Sequence, residues 1–105
     1  MQIEFQIGGQ RYILGENDAR WLEERIRATC VDSSHRPVDA DALGCLQLAD
    51  LLSNDLEHGA TEPIELDPSH VRCLTEHVLA ESPEYDPEIQ ALNVALLRFR
   101  AENDF

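Results

Sequence analysis

The sequence predicts an α+β domain in the order β-β-α-α-β-α-α. Three observations carry that prediction. The opening "QIEFQI-GG-QRYIL" alternates apolar and polar residues on either side of a Gly-Gly pair, the pattern of a half-buried hairpin with a two-residue turn. Four later segments repeat apolar residues at helical spacing. Between the second and third of these, "EPIELDP" supplies a short extended run, Ile64 to Leu66.

In the hairpin, Ile3, Phe5 and Ile7 alternate with Gln2, Glu4 and Gln6. Counting back from Gly8-Gly9, Ile7 faces Gln10, Phe5 faces Tyr12 and Ile3 faces Leu14, which gathers the apolar side chains on one face. The first helix follows Gly15, with Glu16 and Asp18 in its first turn, where the helix dipole favours acids. Ala19, Leu22, Ile26 and Cys30 form its inner stripe. Residues 31–38, "VDSSHRPV", lose all periodicity and read as a loop.

The second helix starts at Asp39 or Asp41 and stops at Gly59, after about His58. Cys45, Leu48, Ala49, Leu51, Leu52 and Leu56 are its expected inner face, so it belongs at the centre of the fold. Leu43 and Leu46 fall on its polar side, where they meet the preceding loop or form a contact surface. Asp67-Pro68 and Asp86-Pro87 are matching helix starts, Asp capping and Pro occupying the first helical position. They predict helices from Pro68 to about Glu81 and from Pro87 to about Ala101, linked tightly through Tyr85 and packed as an antiparallel pair. The inner stripe of the last is Ile89, Leu92, Leu96 and Phe99. The tail, about 102–105, is expected to fray.

At 105 residues the chain is one domain by size, and no apolar run reaches the ~20 residues of a membrane-spanning helix. The opening residues lack a basic leader and long apolar block, so no secretory signal is expected. Cys30, Cys45 and Cys73 are too few and too far apart for a disulfide framework, which points to free, mostly buried thiols in a reducing cytoplasm.

Twenty-one acids against eight bases give a net charge of −13. Every base is arginine, a usage that points to a GC-rich bacterial or phage genome. Residues 1–50 carry a net −4 and residues 51–105 a net −9, and between Asn54 and Glu88 ten acids accompany one base, Arg72. Such a field disfavours direct binding to nucleic acid and attracts a basic protein. The expected function is therefore a small acidic, non-enzymatic interaction module. It would bind or inhibit a basic or nucleic-acid-handling protein, in the manner of immunity proteins, antitoxins or phage anti-defence factors. Glu62, Glu65, Asp67, Glu84 and Asp86 are the expected contact residues. Trp21 joins them because it points away from the first helix's inner stripe, among Arg20, Glu24 and Arg25. Acidic charge that only keeps the domain soluble is the plainer alternative, as is a Trp21 packed under the 31–38 loop or against the sheet edge.

A second reading concerns "SHVRCLTEH", residues 69–77. On an α-helix, His70, Cys73 and His77 lie to one side of the core direction set by Val71, Leu74, Thr75 and Val78. Their i, i+3, i+7 spacing allows a metal site. A fourth ligand would have to come from Cys30, Cys45, His35, His58 or a carboxylate, and none is indicated by spacing; a solvated or rim-packed stripe is the plainer account. A Cys73–His77 nucleophile is opposed by its mid-helix place and by Glu76. Cys30 and Cys45 read as small core residues. "DSSH" lacks the glycines of a nucleophile elbow, Gly8-Gly9 lacks a phosphate-loop pattern, and no catalytic residue or cofactor is expected. A homodimer through Trp21, Leu43 and Leu46 is the third reading.

Overall fold

The structure is a computed structural model that describes residues 2–59, 62–79 and 87–103. Strands β1 (Gln2–Ile7) and β2 (Gln10–Gly15) pair in the register that the alternation requires, with Ile3 opposite Leu14, Phe5 opposite Tyr12 and Ile7 opposite Gln10. Gly8 and Gly9 turn the chain with φ of 55° and 87°, a region that side-chain-bearing residues adopt at a cost. Gly8 has a second reason to lack a side chain. A Cβ there would stand 2.9 Å from the ring of Phe99, so the hairpin tip lies flat against the last helix, α4 (Pro87–Glu102).

Strand β3 (Ile64–Glu65) adds to the other side of β1, in parallel, giving the order β2-β1-β3. The Leu66 amide extends the pairing by donating to Gln6 O at 3.0 Å.

Helix α1 (Glu16–Thr29) has no cap from its own neighbours. The Glu88 carboxylate of α4 instead accepts from the Gly15 amide at 2.7 Å, filling the role that a capping-box glutamate plays locally. Helix α2 (Ala40–His58) is capped by Asp39, which accepts from the Ala42 amide, and ends at Gly59 with φ 90°. Helix α3 (Pro68–Cys73) opens on a capping box in which Asp67 accepts from the His70 amide and His70 accepts from the Asp67 amide. Asp86, the matching cap expected before α4, and the link through Tyr85 lie outside the described residues. At the other end of α4, Glu102 is helical and the Asn103 amide donates to Phe99 O.

The expected α-helix over Pro68–Glu81 changes character partway. From Leu74 to Val78 it is π-helical, and the Leu79 amide reaches back five residues to Leu74 O. Two contacts accompany the change: the Thr75 hydroxyl donates into the carbonyls of Val71 and Arg72, and Arg25 of α1 donates to the Val78 carbonyl. A hydroxyl bonding back into the ladder loosens a helix, and the wider turn advances fewer degrees per residue.

One apolar interior joins the inner face of the hairpin to all four helices. Ile3, Phe5 and Leu14 meet Ala19, Leu22 and Ile26 of α1, Leu48 and Leu52 of α2, and Leu92 and Leu96 of α4, all essentially inaccessible. Leu51, expected in the interior, is instead 50% exposed. The buried residues of α2 cover an arc of about 120°, and Leu51 lies roughly 60° beyond its edge.

The fit at the hairpin tip yields a first prediction. Gly8→Ala should destabilise the fold by at least about 1–2 kcal/mol, the cost of a left-handed residue, with the Phe99 clash in addition. Gly9→Ala, with nothing within 4 Å of its added carbon, should show the conformational cost alone. Urea denaturation of the two variants measures the difference.

Candidate functional site

Cys30 is the last residue of the α1 stripe and caps that helix, donating its amide to Ile26 O. Cys45 lies in the first half of α2 and Cys73 at the end of α3. The three residues are far apart in sequence and meet where the three helices meet. Their Sγ atoms all lie within 4.8 Å of one another, with Cys30 and Cys73 at 3.3 Å. All three are free thiols with no solvent exposure.

Two features of the chain make this convergence possible. Gly44, beside Cys45, faces α3 so closely that a Cβ there would stand 3.1 Å from Ser69 Oγ, a contact that the serine would have to yield to. On the other side, the loop after α1 folds back over Cys30. The Val38 amide donates to Cys30 O, Val31 bridges Pro37, and Asp32 Oδ1 accepts from the amides of Ser34 and Arg36. "DSSH" is thus a loop clasp, closed by His35 at φ 60°.

The thiols do not titrate as independent groups. Hydrogen bonds from Cys45 and Cys73 lower the Cys30 thiol to about 3. The bond to Cys30 pushes Cys73 up to about 12, and the bonds to Cys30 and Cys73, with burial, raise Cys45. Physically, ionising one thiol of the cluster raises the cost of ionising the others.

Beside the thiols, His77 Nε2 and Asp39 Oδ2 are 2.8 Å apart. This pair ties the π-helical turn to the cap of α2. It also acts on the thiols through its charge, His77 favouring ionisation of Cys30 and Asp39 opposing that of Cys73. The His77 contact and the Ala42 amide hold Asp39 below the ordinary carboxyl range. At Asp67 burial pushes the carboxyl up, but hydrogen bonds from Ser69 and the His70 amide outweigh it and leave the group lowered.

The structure separates the expected His70–Cys73–His77 set. His70 is spent in the capping box with Asp67, His77 pairs with Asp39, and Cys73 turns inward, fully buried. A solvated or rim-packed stripe fails for Cys73 because α3 has no single core direction: Val71 and Cys73 are both buried although about 160° apart on the helix, with α2 and α4 packed on α3 and α1 on the π-helical turn that follows. Cys30 and Cys45 are buried as expected of core residues, but they are also the partners that Cys73 finds. Among the described residues they form, with Cys73, the one group of side chains arranged to share a metal ion.

The expected contact residues are placed as follows. Glu62, Glu65 and Asp67 are exposed along the α2–β3–α3 connection, and Asp67 is committed to capping α3. Glu84 and Asp86 lie outside the described residues. Trp21 is half-buried against the core, Leu46 likewise, and Leu43 is 52% exposed. Grooves flank α4, one of about 380 Å³ lined by Gly8, Tyr12, Arg98, Phe99 and Glu102, the other by Arg11, Ile13, Glu88 and Leu92. No helix among the described residues is long and apolar enough to cross a membrane.

The depressed carboxyls make stability depend on pH with a definite sign. In the unfolded chain Asp ionises near about 3.9; in the fold Asp39 and Asp67 ionise lower, so the folded state binds fewer protons. Their contribution is present at neutral pH and is lost as pH falls below the unfolded value and through the folded ones. Asp39→Asn keeps the α2 cap but removes the charge facing His77, so its urea midpoint should fall less steeply between pH 5 and 2 than that of the parent. The chain matches no protein-family model, no curated protein and no solved structure.

Proposed function

We propose that the chain is a small acidic interaction module of the cytoplasm, without catalytic activity. It docks on a basic, nucleic-acid-handling protein, as an inhibitor of the immunity, antitoxin or anti-defence type would. The observation that supports this is how the arginines are spent. Arg11, Arg20, Arg27, Arg72 and Arg100 pair with Glu4, Glu16, Glu23 and Asp50, Asp41 and Glu76 respectively, and Arg25 is taken by the Val78 carbonyl. Among the described residues, no arginine pairs with Asp55, Glu57, Glu62, Glu65 or Asp67. The charge surplus is therefore concentrated where α2 ends and β3 begins. The carbonyl end of α2 adds its own negative potential there. Exposed charges on a partner's rim mainly steer association and set its salt dependence.

A homodimer is a second reading, favoured by the exposure of Leu43 and Leu51 on the outer face of α2. Solution mass at micromolar concentration separates it from the first: a dimer dispersed by Leu43→Glu supports it, and a monomer removes it.

The acidic reading is tested by reversing Glu57, Glu62 and Glu65 to Lys together, leaving Asp67 intact because it caps α3. Basic proteins captured from the host at low salt should be lost by the variant, and binding by the parent should weaken at least tenfold between low and physiological salt. Capture indifferent to both changes removes the proposal.

A further inference from the structure

We infer that Cys30, Cys45 and Cys73 form a three-coordinate site for a soft, thiophilic metal ion, cuprous copper being the ion whose chemistry it fits. The geometry is the first ground. Three sulfurs around one ion at a bond length of about 2.3 Å stand about 4 Å apart. The thiols here lie between 3.3 Å and 4.8 Å from one another, so an ion entering their midst needs side-chain adjustment and no rearrangement of helices.

The ligand set is the second ground. Structural zinc is held by four donors in a tetrahedron. The group here contains three sulfurs and neither a histidine nor a carboxylate. Each cysteine is sealed from solvent, so water does not supply a fourth position. Thiolate donors suit Cu(I) and zinc alike by softness; of the two, Cu(I) accepts trigonal coordination by three sulfurs.

The third ground is what the fold builds around the sulfurs. The donors come from α1, α2 and α3 separately. Gly44 lets α2 lie close against α3 beside Ser69, and the helix carrying Cys73 leaves α-helical register at the next residue. Interruptions of the π type are frequent at functional sites.

Binding replaces S–H bonds with S–metal bonds, and the protons released pass to solvent; the part-buried Thr29 Oγ1, 4.0 Å from Cys30 Sγ, is a polar atom beside the cluster. No oxidant or reductant is required, because copper enters in the cuprous state. His70 and His77 are not ligands in this arrangement.

The experiment uses the full reduced chain titrated anaerobically with Cu(I) from a chelator-buffered solution. The expected result is one ion per chain, a thiolate-to-copper charge-transfer absorption, and a rise in melting temperature as the ion ties three helices together. Cys30→Ala, Cys45→Ala and Cys73→Ala, each checked for folding by circular dichroism, should bind at least about 100-fold more weakly, whereas the exposed His58→Ala should bind as the parent does. Three results overturn the site: no charge-transfer absorption, an unchanged or lowered melting temperature in the parent, or undiminished binding by a folded cysteine variant. Stoichiometric zinc without copper overturns the three-coordinate assignment. If no cysteine variant folds, the melting temperature and stoichiometry of the parent decide the matter.

Discussion

The packing of α2 against α3, where Gly44 faces Ser69, is the contact around which the thiol cluster is built. A side chain at 44 would crowd Ser69 Oγ. Both α2 and α4 pack on α3, and residues that a one-sided helix would show to solvent are enclosed. The π-helical turn fits the same arrangement. Arg25 from α1 and Arg100 from α4 bind its Val78 carbonyl and Thr75 hydroxyl, so the irregular turn has partners on two neighbouring helices. Buried polar groups left without such partners would cost about 1–3 kcal/mol each.

Charge is distributed by the same economy of arginine. Each cation drawn into an ion pair or a carbonyl contact leaves an acid elsewhere unanswered, and the pairs stitch together elements distant in sequence, such as Arg72 with Asp41 and Arg100 with Glu76. Their individual contributions to stability are small, because most are partly exposed. Their larger consequence is spatial. Asp55, Glu57, Glu62 and Glu65 have no arginine partner among the described residues, whereas Glu16 and Glu23 of α1 pair with Arg20 and Arg27.

Much of the fold was legible because strand period and helix punctuation are local signals. The register of the hairpin follows from Ile3, Phe5 and Ile7 once Gly8-Gly9 is taken as its turn, and Asp39, Gly59 and Asp67-Pro68 mark helix ends through groups a few residues away. What escaped was non-local. The α1 stripe ended at Cys30 and the α2 stripe began near Cys45, both correctly inward, but nothing in spacing says that two inward thiols meet. Cys73 was misplaced because a helical wheel assumes one core direction, while α3 has two. Leu51 was misplaced for the opposite reason: an apolar side chain was taken as buried when the helix had already filled its inner arc. The Glu88 cap of α1 joins residues 73 apart in sequence and has no local signature at all.

The proposed metal site rests on the convergence of three buried thiols, and the surroundings of a bound ion test it most directly. X-ray absorption at the copper edge of the one-copper protein reads those surroundings without any variant. Three sulfur neighbours and no nitrogen are the predicted result. A copper bound by imidazole nitrogen, or by sulfur in any number other than three, would contradict the convergence of Cys30, Cys45 and Cys73, as would a protein that takes up no copper.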